Sequence, residues 1–118
     1  MHPHPNVPAI SPVQQPLAGV LLVSPWVTFD QTSSSFKTNA RKDILSASAL
    51  QKWSQAFMGT AIRDNYNSPL DAPVDWWSTL PASRILLVAG ADELFVDDIV
   101  EFAHKLSVCN PVLRKESN

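Results

Sequence analysis

The chain has 118 residues, 45% of them hydrophobic, and a formal net charge of −2. That length suits one small domain, and that composition suits a packed core instead of a disordered chain. The charge supplies no basic field for nucleic acid or an anionic membrane surface, and no apolar run approaches the ~20 residues of a bilayer span.

The opening, Met1-His2-Pro3-His4-Pro5, has neither the basic nor the apolar region of a secretory signal. Pro3, Pro5, Pro8, Pro12 and Pro16 fall within the first sixteen residues. Proline removes a backbone donor and fixes φ, so residues 1–16 are expected to form an extended, proline-rich arm. The single cysteine, Cys109, allows no internal disulfide and points to a reducing compartment, so a soluble cytoplasmic chain is expected.

Leu17 to Val23 is an unbroken apolar run that stops at Ser24-Pro25, and Ile85 to Ala89 is a second, closed by Gly90. Short runs of this kind predict strands buried on both faces, as in a parallel sheet. The sixty or so residues between them exceed a simple crossover and predict an insertion. Within it, Ser48-Ala49-Leu50-Gln51 has the form of a capping box. Leu50, Trp53 and Phe57 follow at i, i+3 and i+7, with Gly59 as a stop. Residues 63–80 read as an ordered loop with a short turn near Trp76-Trp77. A last helix is predicted from about Val96 to Leu106, with Ile99, Phe102, Ala103 and Leu106 on one face and Asp97 and Asp98 at its positive end. The fold class is therefore α/β, with two or more parallel strands, flanking helices and an insertion between the strands. Its body spans residues 17–107, followed by a polar tail over 108–118.

Gly90-Ala91-Asp92-Glu93-Leu94 carries the chemistry. A carboxylate just past a buried strand lies at the carboxyl edge of the sheet, where α/β folds place their sites. Asp92 there suits the acid of a Ser-His-Asp triad; equally, an aspartate at this position accepts turn hydrogen bonds or caps the next helix.

Four stations resemble one family in order. They are Leu22-Val23-Ser24-Pro25-Trp26, Tyr66-Asn67-Ser68-Pro69-Leu70, Leu80-Pro81 with the strand beyond, and Gly90-Ala91-Asp92-Glu93-Leu94 with Asp97 and Asp98 behind it. From about Pro16 to Leu106 the chain resembles the C-terminal part of the hormone-sensitive-lipase-like α/β-hydrolases, the fold-3 esterases, especially their fungal members. The resemblance implies a partial α/β-hydrolase fold, Asp92 as triad acid, no cofactor, and small apolar esters as substrates of full-length relatives. It also implies that the insertion builds a cap, with Trp26 and Trp53 as substrate-binding residues. An i, i+3, i+7 stripe is otherwise core packing, the role expected for Phe57; Trp26 stays open between the two.

The family's nucleophile sits in Gly-x-Ser-x-Gly, and Gly19, Gly59 and Gly90 are the only glycines here. The same count removes the His-Gly-Gly-Gly oxyanion loop, Gly-x-Gly-x-x-Gly and the P-loop. No histidine follows His104, which the last helix carries away from the strand edge. His2 and His4 lack a third metal ligand, so no metal site is expected; Cys109 reads as an ordinary thiol. Ser24 and Ser68 read as turn residues. Two functions remain: the acid-bearing part of a carboxylic ester hydrolase, or an inactive fragment or docking module that associates through an exposed sheet edge.

Overall fold

The computed structural model describes residue 2 and residues 4–110. In chain order come strand β1 (Val20–Val23), a single-turn helix α1 (Ser35–Thr38), helix α2 (Ala47–Met58), two 3-10 turns (Pro69–Asp71 and Val74–Trp77), strand β2 (Ile85–Val88) and helix α3 (Val96–Cys109). β1 and β2 pair in parallel, with Val20 opposite Ile85 and Val23 opposite Val88. The predicted first strand is longer than the ladder. Leu17 makes only an isolated bridge with Ala82, its amide donating to Pro81 O at 2.8 Å, and the continuous ladder starts at Val20.

α3 covers one face of this sheet, toward which Val20, Leu22, Ile85 and Leu87 point and are half-buried. Alternate residues of a strand face opposite ways. Leu21, Val23, Leu86 and Val88 consequently lie on the other face, 44–64% exposed. The expectation of strands buried on both faces is therefore wrong among the described residues, since no second helical layer covers that side.

The apolar stripe of α3 organises both core clusters. Its N-terminal half brings Phe95 and Ile99 against Phe36, Leu50 and Leu94. Its C-terminal half brings Phe102 and Leu106 against Val27 and Leu70. The helix runs on through Cys109, beyond the predicted end at Leu106, and the rest of the expected tail, 111–118, lies outside the described residues.

α2 begins earlier than its capping box predicts. Ser46, in extended conformation, caps it by accepting from the Ala49 amide at 3.3 Å. Ala47 and Ala49 extend the helix back past Ser48 because alanine favours helix most strongly. Gly59 ends it at φ 53, in the left-handed region glycine tolerates. Only Leu50 of the predicted stripe enters the core; Trp53 is 53% and Phe57 72% exposed. Core packing for Phe57 is thus corrected: α2 stands out from the sheet, and Phe57 touches only the ring of Phe29 among its aromatic neighbours.

Arg63 clamps the insertion. Its guanidinium donates to both Asp30 oxygens at 2.9 and 3.0 Å, to Thr28 Oγ1 at 2.9 Å, and in bidentate fashion to Asp71. Burial alone would raise the Asp71 carboxyl, but hydrogen bonds from Arg63 and Ser68 and the charges of Arg63 and Lys105 hold it below its ordinary value. Arg63→Ala is expected to cost about 1 kcal/mol, a loss that shrinks at high salt because the network is partly exposed. Thermal melts at two ionic strengths check this.

Candidate active site

β1 and β2 both end at one edge of the sheet, and the chain turns there in two unusual ways. Ser24, just past β1, has φ 46, a left-handed conformation uncommon for a residue with a side chain. Its amide still reaches the ladder, donating to Val88 O at 2.7 Å. Past β2, Gly90 opens the acid turn, and a Cβ there would lie 3.0 Å from Glu93 Oε1, so a side chain would displace the Glu93 carboxylate. That carboxylate joins the two strand ends. Glu93 Oε1 accepts from Ser24 Oγ at 2.7 Å and from the Gly90 amide at 2.8 Å.

Asp92 projects the other way. Its side chain is 68% exposed and accepts from Lys42 Nζ at 2.8 Å. The turn beneath it is fastened from behind by the segment around α1. Buried Asn39 donates to Ala91 O at 3.1 Å and Glu93 O at 2.9 Å. Asp43 accepts from the Leu94 amide at 2.7 Å. Ser35 donates from Oγ to Leu94 O at 2.5 Å and from its amide to Asp97 at 2.7 Å. An exposed carboxylate thus rides on a turn whose backbone is held on both sides of it, at Gly90 and Ala91 before and at Glu93 and Leu94 after. Chemically, such a group can accept an imidazole N–H and stabilise the imidazolium.

Trp26 stacks on Phe95, three residues beyond Asp92, with ring centroids 5.6 Å apart, and meets Phe29 edge to face. It packs against the first core cluster and also lines a cavity of about 390 Å³, together with Val20, Leu22, Trp76, Trp77 and Phe102. Trp26 is thus at once a core residue and a cavity wall. Residues 90–95 do not line this apolar cavity, and neither does Trp53. The structure brings Trp26 close to the acid turn and leaves Trp53 outward on α2.

The remaining candidates are scattered. His104 is exposed on α3. His2 stacks on Trp76 at 4.7 Å, and His4 Nε2 lies 3.2 Å from Asp64. Ser24 and Ser68 both sit in turns, Ser68 wholly buried. Among the described residues no three His, Cys, Asp or Glu side chains are grouped to hold a metal, and no helix is long and apolar enough to cross a membrane. Sequence reasoning does not find Lys42, Asn39, Asp43 or Glu93. The first three lie about 50 residues from the turn they serve, and no local pattern marks such a separation.

Asp98, expected at the positive end of α3, is 7% exposed, and its Oδ2 has no hydrogen-bond partner among the described residues. Burial raises its carboxyl; a hydrogen bond with Ser33 opposes this, while Glu101, Asp97 and Asp30 push it further up. A carboxyl raised in the folded state favours folding while protonated, and that contribution is lost as pH rises through its folded pKa. Asp98→Asn is accordingly expected to raise the melting temperature at pH 7. The gain should shrink as pH falls and the Asp98 carboxyl takes up its proton, since the two side chains then differ little in charge. Melts across pH 4–8 check the sign.

Residues 7–114 match the alpha/beta hydrolase fold family. Two crystal structures are similar in three dimensions. One is an esterase from the bacterial hormone-sensitive lipase family, with TM-score 0.67 and 24% identity over 77% of this chain and 30% of that one. The other is a mutant esterase, with TM-score 0.71 and 24% identity over 84% of this chain and 32% of that one. The chain thus spans about a third of their length, and at this identity the likeness establishes fold alone. No curated protein matches the sequence. Two parallel strands flanked by helices, with an insertion between them, form a partial α/β-hydrolase fold, and the chain belongs to the alpha/beta hydrolase fold family.

Proposed function

We propose that this chain is the acid-bearing, C-terminal part of a carboxylic ester hydrolase, with Asp92 as the acid that orients a histidine supplied from outside residues 1–118. The observation that carries the reading is the exposed Asp92 carboxylate on a turn braced on either side of it, at the carboxyl edge of the sheet. The four sequence stations favour the fungal branch of the hormone-sensitive-lipase-like group. Small apolar esters suit the aromatic surroundings, with Trp26 beside the acid turn and Trp53 and Phe57 on the outward face of α2 as the apolar lining of a cap. One cysteine in the whole chain suits a cytoplasmic setting.

The purified chain alone is expected neither to hydrolyse a short p-nitrophenyl ester nor to be labelled by a serine-directed phosphonate. Either activity would overturn the reading, because the glycine elbow that presents a nucleophilic serine is absent. Supplied in trans with the hydrolase segments that carry both the Gly-x-Ser-x-Gly nucleophile and the triad histidine, it is expected to support turnover that Asp92→Asn lowers on the order of 10³–10⁴-fold.

A docking role has one observation of its own. Leu21, Val23, Leu86 and Val88 form a continuous exposed aliphatic face, and each strand has one unpaired edge among the described residues. Association through this surface is expected to be concentration-dependent in sedimentation experiments. Leu21→Lys with Leu86→Lys should abolish it without lowering the melting temperature.

A further inference from the structure

Two adjacent carboxylates on the acid turn face opposite ways. Asp92 is turned to solvent; Glu93 is turned inward, with Oε2 buried and Oε1 shared between Ser24 Oγ and the Gly90 amide. We infer that Glu93 is the positioning residue of this turn, its carboxylate locking the ends of both strands so that Asp92 projects in a fixed direction. The inference rests on Asp92 being the functional acid, and it assigns Glu93 a role that does not involve touching substrate.

The physical case has three parts. A hydrogen bond to a carboxylate is stronger than a neutral one, and here a single oxygen receives two, one from each strand end. The first donor, Ser24, holds a left-handed backbone that needs compensation from its surroundings. A charge-assisted bond of 2.7 Å from its own side chain supplies some of it. The second donor, Gly90, lets the carboxylate approach closely, since a Cβ there would lie 3.0 Å from Oε1 and press it back by a few tenths of an ångström. The Glu93 backbone is held as well, its carbonyl accepting from Asn39 at 2.9 Å. Removing the carboxylate frees Ser24 and Gly90 together, and with them the base on which Asp92 stands.

The test uses NMR on the 118-residue chain, in wild type, Glu93→Gln, Glu93→Ala and Asp92→Asn. In wild type the Gly90 amide proton shift should follow the titration of the Glu93 side-chain carboxyl carbon. It should become independent of pH in Glu93→Gln and stay unchanged in Asp92→Asn. Hydrogen-exchange protection of Gly90 should fall about 10-fold or more in Glu93→Ala. Glu93→Gln, whose amide oxygen can still accept, should restore most of it. The Asp92 carboxyl carbon shift should move in Glu93→Ala and return in Glu93→Gln. A Gly90 shift that follows Asp92, or Glu93→Ala protection and Asp92 shift equal to wild type, would overturn the inference. These readouts require no turnover, so a failure of the ester-hydrolase reading, seen as activity insensitive to Asp92→Asn, remains separate from a failure of the clamp.

Discussion

Phe102→Ala is expected to cost about 3–5 kcal/mol, enough to threaten the folded state outright. Phe102 is 3% exposed and packs with Val27, Leu70 and Leu106 in the second core cluster. Its ring meets Trp77 edge to face at 5.2 Å and forms part of the wall of the 390 Å³ cavity. Truncation would enlarge an existing space and remove a ring that both core packing and the cavity wall use, which places the substitution toward the costly end of its class. Small domains hold only a few kcal/mol in reserve. Urea denaturation followed by circular dichroism should therefore show the cooperative transition lost or moved near zero denaturant. Phe57→Ala, at an aromatic 72% exposed, should change stability by less than about 0.5 kcal/mol. Equal losses at the two positions would mean that α2 is packed against the domain as firmly as α3.

Asn39→Leu is expected to cost about 2–4 kcal/mol, through a different mechanism. Asn39 is 4% exposed, and its amide donates to both Ala91 O and Glu93 O. Leucine keeps the volume but removes the donor to both carbonyls. Ala91 O is left with no partner among the described residues, and Glu93 O with only the long contact from the Val96 amide at 3.4 Å. An unsatisfied carbonyl costs ~1–3 kcal/mol. The loss should be concentrated at the acid turn. Exchange of the Leu94 amide, held by Asp43, should accelerate more than exchange in β1 or α3. Uniform acceleration across the chain would assign Asn39 to global stability alone.

The two substitutions separate what the sequence by itself determined from what tertiary structure decided. Two apolar runs bounded by Pro25 and Gly90 were legible as strands, and the Ile99, Phe102 and Leu106 spacing as a buried helical face. These signals are local: periodicity and backbone punctuation depend on residues within a turn or two of each other. The turn after β2 was equally legible, because Gly90 follows the apolar run directly.

Exposure was not. Whether Leu21 and Leu86 are covered depends on how many layers pack on the sheet, and their composition suits a buried strand either way. The Leu50, Trp53 and Phe57 stripe reads as one face, yet only Leu50 finds a surface to cover it. Only the tertiary structure shows that Asp92 faces water while Glu93 turns inward. They are neighbours of like charge in sequence, and they part because Ser24 lies 69 residues from Glu93 and Lys42 lies 50 from Asp92. Local pattern sets what each segment can become, while contacts between distant segments set which carboxylate faces water and which one holds the strands together.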